Sequence, residues 1–500
     1  MESLWRTGTP RITGTPFAPG SRSDVVVVGA GLTGLATALM LQRAGRTVTV
    51  IEAGEVAQLA TGGNTGKLSL LQGSVLSTLR RHHYAALVKA YVDANRAGME
   101  WLTGFAEEAG VPFTRRTAYS YAQTDAAAST VDDEFDAARE AGLDVRRVDP
   151  DALDVPFPVA AAIALNDQVA LDPARIAGAL AEQFVAAGGS LHTGLRVTKV
   201  HTLPDPRVDT PEGVAFADHI VLATGAPIAD RGLYFAKTSG LRSYCVSFAT
   251  DRPVPDGLLL SVDGPTRSIR SVTTIDGPVA GLIVGGNGHP VGRSDSERAA
   301  VDDLVDWTRR YFPEAVETHR WSAQDYQSHD LIPFVGALPR GLGRIRFATG
   351  YGKWGLSNAP WAAIRLSSEI LGVPWRDRPA WMTGIGTRLT VPADLAQGAV
   401  ENARVGAAAA AGWAGAMTTR TPVPKPAEGE GVVATRGVEP VAISTTDGQT
   451  RAVSAVCPHL GGILSWNDAE CTWDCPLHAS RFAADGTRLE GPAVRDLEAR

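Results

Sequence analysis

The stretch SDVVVVGAGLTGLATALMLQRAGRTVTVIEAG, residues 23 to 54, constrains this chain more than any other. A β-branched run passes through glycines into helix-forming residues, and a second β-branched run ends at Glu52. The order is strand, turn, helix, strand. Gly29, Gly31 and Gly34 form G-x-G-x-x-G directly after VVVV. In that setting the first glycine permits a tight turn, the second lets backbone approach a pyrophosphate, and the third allows close packing of helix on strand. The helix N-terminus then presents its partial positive charge to the phosphates. Glu52 lies eighteen residues beyond Gly34, where a carboxylate accepts hydrogen bonds from ribose hydroxyls. The glycines alone are a weak signal with a structural turn as the alternative; strand, trio, helix, strand and acid together specify a dinucleotide.

A flavoenzyme that also binds NAD(P)H through its own Rossmann unit needs a second fingerprint. The only later glycine cluster, GGNGHPVG at 285 to 292, reads as lacking a following helix. A single site points to one tightly held dinucleotide. FAD fits better than NAD, because ATG at 223 to 225 and ATGYGKWGLSNA at 348 to 359 are strand-glycine segments able to return to the cofactor.

Five hundred residues, 44% of them hydrophobic, are too many for one small core and suffice for two or three units. The net charge of -7, with Lys and Arg scattered, offers no basic stripe and excludes nucleic acid as the expected partner. The opening MESLWRTGTPRITGTPFAPG has no signal-peptide core, and no apolar run reaches the roughly 18 residues of a membrane span. A cytoplasmic protein with no membrane partner is expected. Three of the four cysteines crowd between 457 and 475, which suits a reducing compartment rather than a disulfide scaffold.

The fold class predicted is α/β, a Rossmann-type FAD-binding domain with an inserted antiparallel-sheet substrate domain, followed by a small all-β domain. Residues 1–20 form an N-terminal extension. Residues 21–390 form the oxidoreductase, with cofactor segments at about 21–110, 150–235 and 330–375 and the substrate domain mainly at about 240–330. There SYCVSFAT and GLIVGGNG alternate apolar and polar residues. A helix and a Pro/Gly linker, TTRTPVPKPAEGEG, occupy 391–430, and a β-rich module fills 431–500.

Inside that module, VSAVCPHLGGILSWNDAECTWDCPLH places Cys457 two positions before His459 and Cys475 three before His478. Zinc sites usually begin with ligands separated by two or more residues; a Cys-x-His pair followed by Cys-x-x-His suits a Rieske [2Fe-2S] centre, with zinc as the alternative. Cys457 and Cys475 hold one iron as thiolates, and His459 and His478 hold the other. Two neutral ligands in place of two anions raise the potential above that of an all-cysteine cluster. The motif resembles Rieske ferredoxin domains over about 430 to 500. High-potential members carry an extra cysteine in each ligand loop; here those places hold Gly462 and Leu477. By the same resemblance Ser480 donates a hydrogen bond to a cluster sulfur, and Cys471 is a free thiol. An intermediate potential is implied.

From about 22 to 375 the chain resembles the D-amino-acid oxidase or glycine-oxidase (DAO) class of FAD oxidoreductases. The resemblance rests on VVVVGAGLTGLATA with Glu52, TGGNTGKLSL, IVLATGA and FATGYGKWGLSNAP. It implies a cofactor domain assembled from separated stretches, using Gly29, Gly31, Thr33, Gly34, Glu52 and Ala53, with Thr224 and Gly225 returning to it. Thr65 and Lys67 are implied near the pyrophosphate or flavin, Val197 near adenine, and Gly350, Lys353, Trp354, Gly355 and Leu356 near the flavin pyrimidine. No His or Cys stands where some relatives bond flavin covalently, so noncovalent FAD is implied. The pairing of domains, down to the N-terminal ESLW, resembles a group of FAD oxidoreductases with a C-terminal Rieske domain.

Hydride transfer from an amine needs an unprotonated nitrogen and positive charge for the reduced flavin. Lys353 is the candidate for that charge, with a surface lysine as the alternative. Arg267 or Arg270 of PTRSIR is placed to bind a substrate carboxylate, with a structural salt bridge as the alternative. Tyr326 is positioned to hydrogen-bond substrate, and Trp354 to shape the pocket. His82 and His83 are adjacent and read as solvated surface rather than metal ligands. The expected enzyme oxidises a C–N bond of a small amine or amino-acid-like molecule and exchanges single electrons through the cluster with an external carrier protein. The alternatives are dehydrogenation of a C–C or C–O bond in a larger natural product, and a nonenzymatic redox relay or sensor.

Overall fold

In the computed structural model, which describes residues 1–7, 12–229, 231–273, 280–386, 392–419 and 424–500, the VVVV run forms the strand Arg22–Val28 at the centre of an eight-stranded sheet. It pairs in parallel with Val48–Ile51 on one side and Gly213–Leu222 on the other. Both faces of a parallel strand are covered, which is why Val25 to Val28 read as an unbroken apolar run and are all buried. The chain order reverses at this strand, so the crevice beyond its carboxyl end is where a doubly wound sheet binds ligands. The helix Leu32–Arg43 begins there, capped by Gly31. Ile345–Thr349 joins the sheet through Gly213–Leu222, bringing the second glycine segment to the same edge.

A nine-stranded sheet carries the substrate side, built mainly from Thr238–Ala249, Arg267–Thr273, Ala280–Pro290 and Val316–Ser328. It also takes Phe113–Ala122 and Ala161–Leu171, which pair antiparallel. This corrects the boundaries expected from sequence, where 110–150 was unassigned and 150–235 was given to the cofactor domain. A short apolar run such as AAIAL does not say which sheet it joins. A helix, Glu297–Tyr311, does follow GGNGHPVG, contrary to expectation. The strand bearing that motif lies antiparallel between its neighbours, so no second parallel nucleotide unit results.

The predicted helix after 390 is Pro392–Thr418. Beyond it stand a three-stranded and a four-stranded sheet. They enclose a separate core centred on Trp473 and Phe482. The N-terminal extension is tied to the oxidoreductase: the Trp5 indole donates to the Asn64 carbonyl at 2.6 Å, and Arg270 lies over its ring.

Candidate functional site

A cavity of about 650 Å³ opens at the carboxyl end of the central strand. Gly29, Gly31, Thr33, Glu52 and Ala53 line its fingerprint end. Gly29 has a positive φ of 107°, and a Cβ there would collide with the Ala223 carbonyl. Gly34 stays behind the wall, because its lack of a side chain lets the helix sit on the Gly29 carbonyl. Glu52 accepts from the backbone N–H groups of Ala30 at 2.7 Å and Gly54 at 2.8 Å. Burial raises its pKa against those two bonds, and lone pairs remain for a diol. Thr65, Lys67 and Val197 line the flanks; Thr224, Gly225, Lys353, Trp354, Gly355 and Leu356 complete the ring. Gly350 is not in the lining; it has a φ of 85° and backs onto Ser328. The volume, the glycine cradle and the helix N-terminus fit a dinucleotide of FAD size.

The other end is charged. Asp325 accepts from the Lys353 backbone N–H at 2.8 Å, and burial raises its carboxyl pKa to about 6. Lys353, in a left-handed turn at φ 72°, points its ammonium toward Gly288 and Ser243, where an added Cβ would collide with it. Its exposed surface faces this cavity, and burial lowers its pKa against the pull of Asp325. Lys67 is fixed by the Leu259 carbonyl at 2.7 Å and Ser268 Oγ at 2.8 Å, its pKa lowered by burial. Cys245 lines the same wall with its thiol pushed up to about 12 by burial.

Two expected contacts are corrected. Arg267 is outside the lining; it donates to Asp303 at 2.6 Å and Asn287 at 2.9 Å and stacks over Trp307, so the salt-bridge alternative describes it. Arg270 is likewise spent on the Thr65, Gly66 and Leu171 carbonyls. His83 is buried against the Asp330 carbonyl at 2.6 Å rather than solvated.

In the C-terminal domain Cys457 and His459 sit on the loop after Gln449–Ser454, and Cys475 and His478 on the loop after Thr472–Asp474. The Cys457 sulfur is drawn below the ordinary thiol range by a hydrogen bond from Cys475, and receives further bonds from the His459 and Leu460 N–H groups and from Ser480. The Leu477 and His478 N–H groups point at Cys475. The two imidazoles stand perpendicular with centroids 5.1 Å apart, and the buried His478 Nδ1 has no hydrogen-bond partner. Among the described residues no three metal-ligating side chains gather as one single-ion group. The four candidate side chains divide into a sulfur pair and an imidazole pair, an arrangement that fits a [2Fe-2S] centre with one iron for each. Cys471 is free, and a Cβ on Gly462 would press on Leu477 Cδ1 at 2.6 Å, so those two positions face each other.

The two sites share a border. Phe235 of the oxidoreductase packs edge-on against both imidazoles, with centroids 5.1 and 4.8 Å away. Tyr326 lines the large cavity and also the hollow that holds His459 and His478. Its hydroxyl donates to the Gly491 carbonyl at 2.9 Å and accepts from Gln324. Arg242, fully buried, pairs with Glu470 across the interface, and Arg481 binds Glu470, Asp474 and Glu490. Burial would raise the Glu470 pKa, yet Arg481 and Arg242 hold it near 2.

The sequence reading passed over Asp325, one residue from Tyr326, and Arg242. Asp325 and Tyr326 are successive residues of Val316–Ser328 and both line the cavity, so alternation alone does not single out Asp325.

Residues 24–368 match the family described as FAD dependent oxidoreductase, and residues 421–499 match the Rieske [2Fe-2S] domain. The Bacillus subtilis (strain 168) protein YhfW, named for a Rieske 2Fe-2S centre, is 27% identical over 99% of this chain and 97% of its own. The cytochrome b6-f complex iron-sulfur subunit of Synechococcus sp. (strain JA-3-3Ab) is 48% identical over 46 residues, 9% of this chain and 27% of that one. Among solved structures, glycine oxidase from Geobacillus kaustophilus superposes with a TM-score of 0.61 at 19% identity, covering 72% of this chain and 96% of that one. L-proline dehydrogenase from P. horikoshii gives 0.59 at 17% identity, covering 71% and 94%. These likenesses show the fold. No helix among the described residues is long and apolar enough to cross a membrane.

Proposed function

The chain belongs to the FAD dependent oxidoreductase family and carries a Rieske [2Fe-2S] domain, and from that premise we propose that it oxidises a C–N bond of an amine or amino-acid-like substrate and exchanges the electrons singly with an external carrier. What the groups supply when bound is hydride uptake by FAD and one-electron carriage by the cluster. The residues described above fit both groups.

Everything else falls to the chain. Asp325 attracts a protonated amine and accepts its proton; with its pKa near 6 it is ionised at neutral pH and still basic enough to do so. Lys353 lies at the same end of the cavity, where a cation stabilises the negative charge that develops. Tyr351 lines this end too, its hydroxyl held by Thr33 at 2.8 Å, which fixes one wall of the substrate space. Burial raises both the Cys245 thiol and the Tyr351 hydroxyl, so neither serves as a base there at neutral pH. The substrate class is supported by this carboxylate and by fold neighbours named for acting on glycine, L-proline and L-amino acids.

One observation carries the coupling of the two halves: Tyr326 forms a wall of the dinucleotide cavity and a wall of the hollow around the ligand histidines. Anaerobic mixing with a panel of amines and amino acids tests the reading. Stoichiometric flavin bleaching followed by a reduced-cluster signal in electron paramagnetic resonance is expected. Bleaching by none of them, with reduction only by a protein donor, makes the chain a relay instead.

A further inference from the structure

The large cavity is not built by the oxidoreductase alone. Arg488, Leu489, Glu490, Gly491 and Ala493 of the Rieske domain form part of its lining. Arg488 is 3% exposed, and its Nε is buried with no hydrogen-bond partner. One of its terminal nitrogens is spent on the Ala493 carbonyl at 2.6 Å. Its own carbonyl accepts from Arg196 at 3.1 Å, and Arg196 lines the cavity next to Glu52 and Val197. Two guanidiniums from two domains therefore meet at the fingerprint end, with Glu52 and Asp496 as the nearby carboxylates. Burial, then the neighbouring Arg196, lowers the Arg488 pKa to about 10, so it stays charged at neutral pH. The ligand chemistry at this end is a dianionic pyrophosphate flanked by adenosine.

We propose that the Rieske domain is a structural part of the FAD site: residues 488–493 close the cavity over the adenosine-diphosphate half of bound FAD, and the Arg488 guanidinium backs that wall with positive charge. FAD leaves only after the Rieske domain lifts. Electron transfer is then confined to molecules in which both cofactors are in place, because an undocked domain also lets the flavin go. Retention of FAD does not depend on the direction of electron flow or on substrate, so this proposal and the amine-oxidation reading fail separately.

The test is FAD affinity of full-length, cluster-loaded protein, read by recovery of free-flavin fluorescence on dilution. Arg488→Ala is expected to weaken binding by about tenfold, because the wall loses its packing and one positive charge, while the cluster's visible and resonance spectra stay as in the parent. Should the alanine variant lose the cluster, Arg488→Gln decides: it keeps the stem and an uncharged amide that stops short of the Ala493 carbonyl, and about a tenfold loss is expected. Asp468→Asn is a second arm, at a residue outside the lining of both hollows. Asp468 joins the domains through Ser296 at 2.7 Å and the Arg298 N–H at 2.9 Å, and its loss is expected to speed FAD release. Parental FAD affinity in a cluster-loaded Arg488→Ala or Arg488→Gln protein overturns the proposal, and so does a parental release rate in Asp468→Asn.

Discussion

The two cofactor sites are assembled in opposite ways. The cluster's ligands lie on two loops within 22 residues of chain, each loop tightened by its own backbone: the Cys457 N–H donates to Gly462 and the Cys475 N–H to Ser480. The FAD cavity gathers its wall from the fingerprint, the 61–67 turn, the substrate sheet, the 350s turn and the Rieske domain itself. A site confined to two loops is specified by spacing; a site drawn from the whole chain is specified by packing. Losing one ligand should therefore abolish the first, whereas losing one wall residue should only tune the second.

The largest effect tests that directly. Cys457→Ser or His478→Ala is expected to remove the cluster outright, seen as loss of iron and of the reduced-state resonance signal. The parallel sheet should still fold, since its core shares no residue with the C-terminal core. FAD affinity should fall as well, because the 488–493 wall loosens. A variant that kept its full iron content would break the comparison.

Next in size is Asp325→Asn. Removing the carboxylate is expected to lower kcat/KM by about 10²- to 10⁴-fold while the flavin spectrum persists. The parent carries the complementary sign: with a folded pKa near 6, Asp325 is neutral below that pH and charged above it. The rate should rise through about pH 6, and this limb should vanish in the asparagine variant. A limb that survives assigns the proton acceptor elsewhere.

That residue also marks what the sequence could and could not disclose. Spacing singled out Cys457, His459, Cys475 and His478 as candidate ligands on two facing loops, and G-x-G-x-x-G with Glu52 marked one end of the large cavity. Asp325 and Arg267 are each an acid or a base in a strand, and only register decides which faces the cavity. Register placed Arg267 beside Asn287 and Asp303, and Asp325 beside the Lys353 turn. Arg488 was less legible still: nothing in RLEGP, 160 residues beyond the substrate sheet, announces that it closes a pocket begun at Gly29. Docking decides that, and docking depends on details such as Gly240, where any Cβ would collide with Ala479.

The docking itself supplies the third test. Arg242→Ala would leave Glu470 and Asp474 in the interface with Arg481 as their remaining cation. Breaking a buried ion pair by removing one partner costs about 3–5 kcal/mol, so the C-terminal domain should unfold at lower urea than the flavin domain. An unfolding curve unchanged by Arg242→Ala would mean that the interface contributes little to the stability of either half.

The smallest effect reaches both sites through one hydroxyl. Ser480 Oγ accepts the Ala493 N–H at 2.9 Å, so its single hydrogen is left for the Cys457 sulfur. Ala493 also lines the FAD cavity, which places the cluster's hydrogen bond and the cofactor's wall on one segment. A hydrogen bond to sulfur favours the reduced, more negative cluster. Ser480→Ala should lower the midpoint potential by about 40 mV, the one-electron equivalent of roughly 1 kcal/mol, and Ser480→Thr should restore most of it. If occupancy of the cavity steadies that segment, the parent's potential will shift when FAD is removed and the alanine variant's will not. Equal shifts in both would place the coupling in the field of the flavin rather than in the hydroxyl.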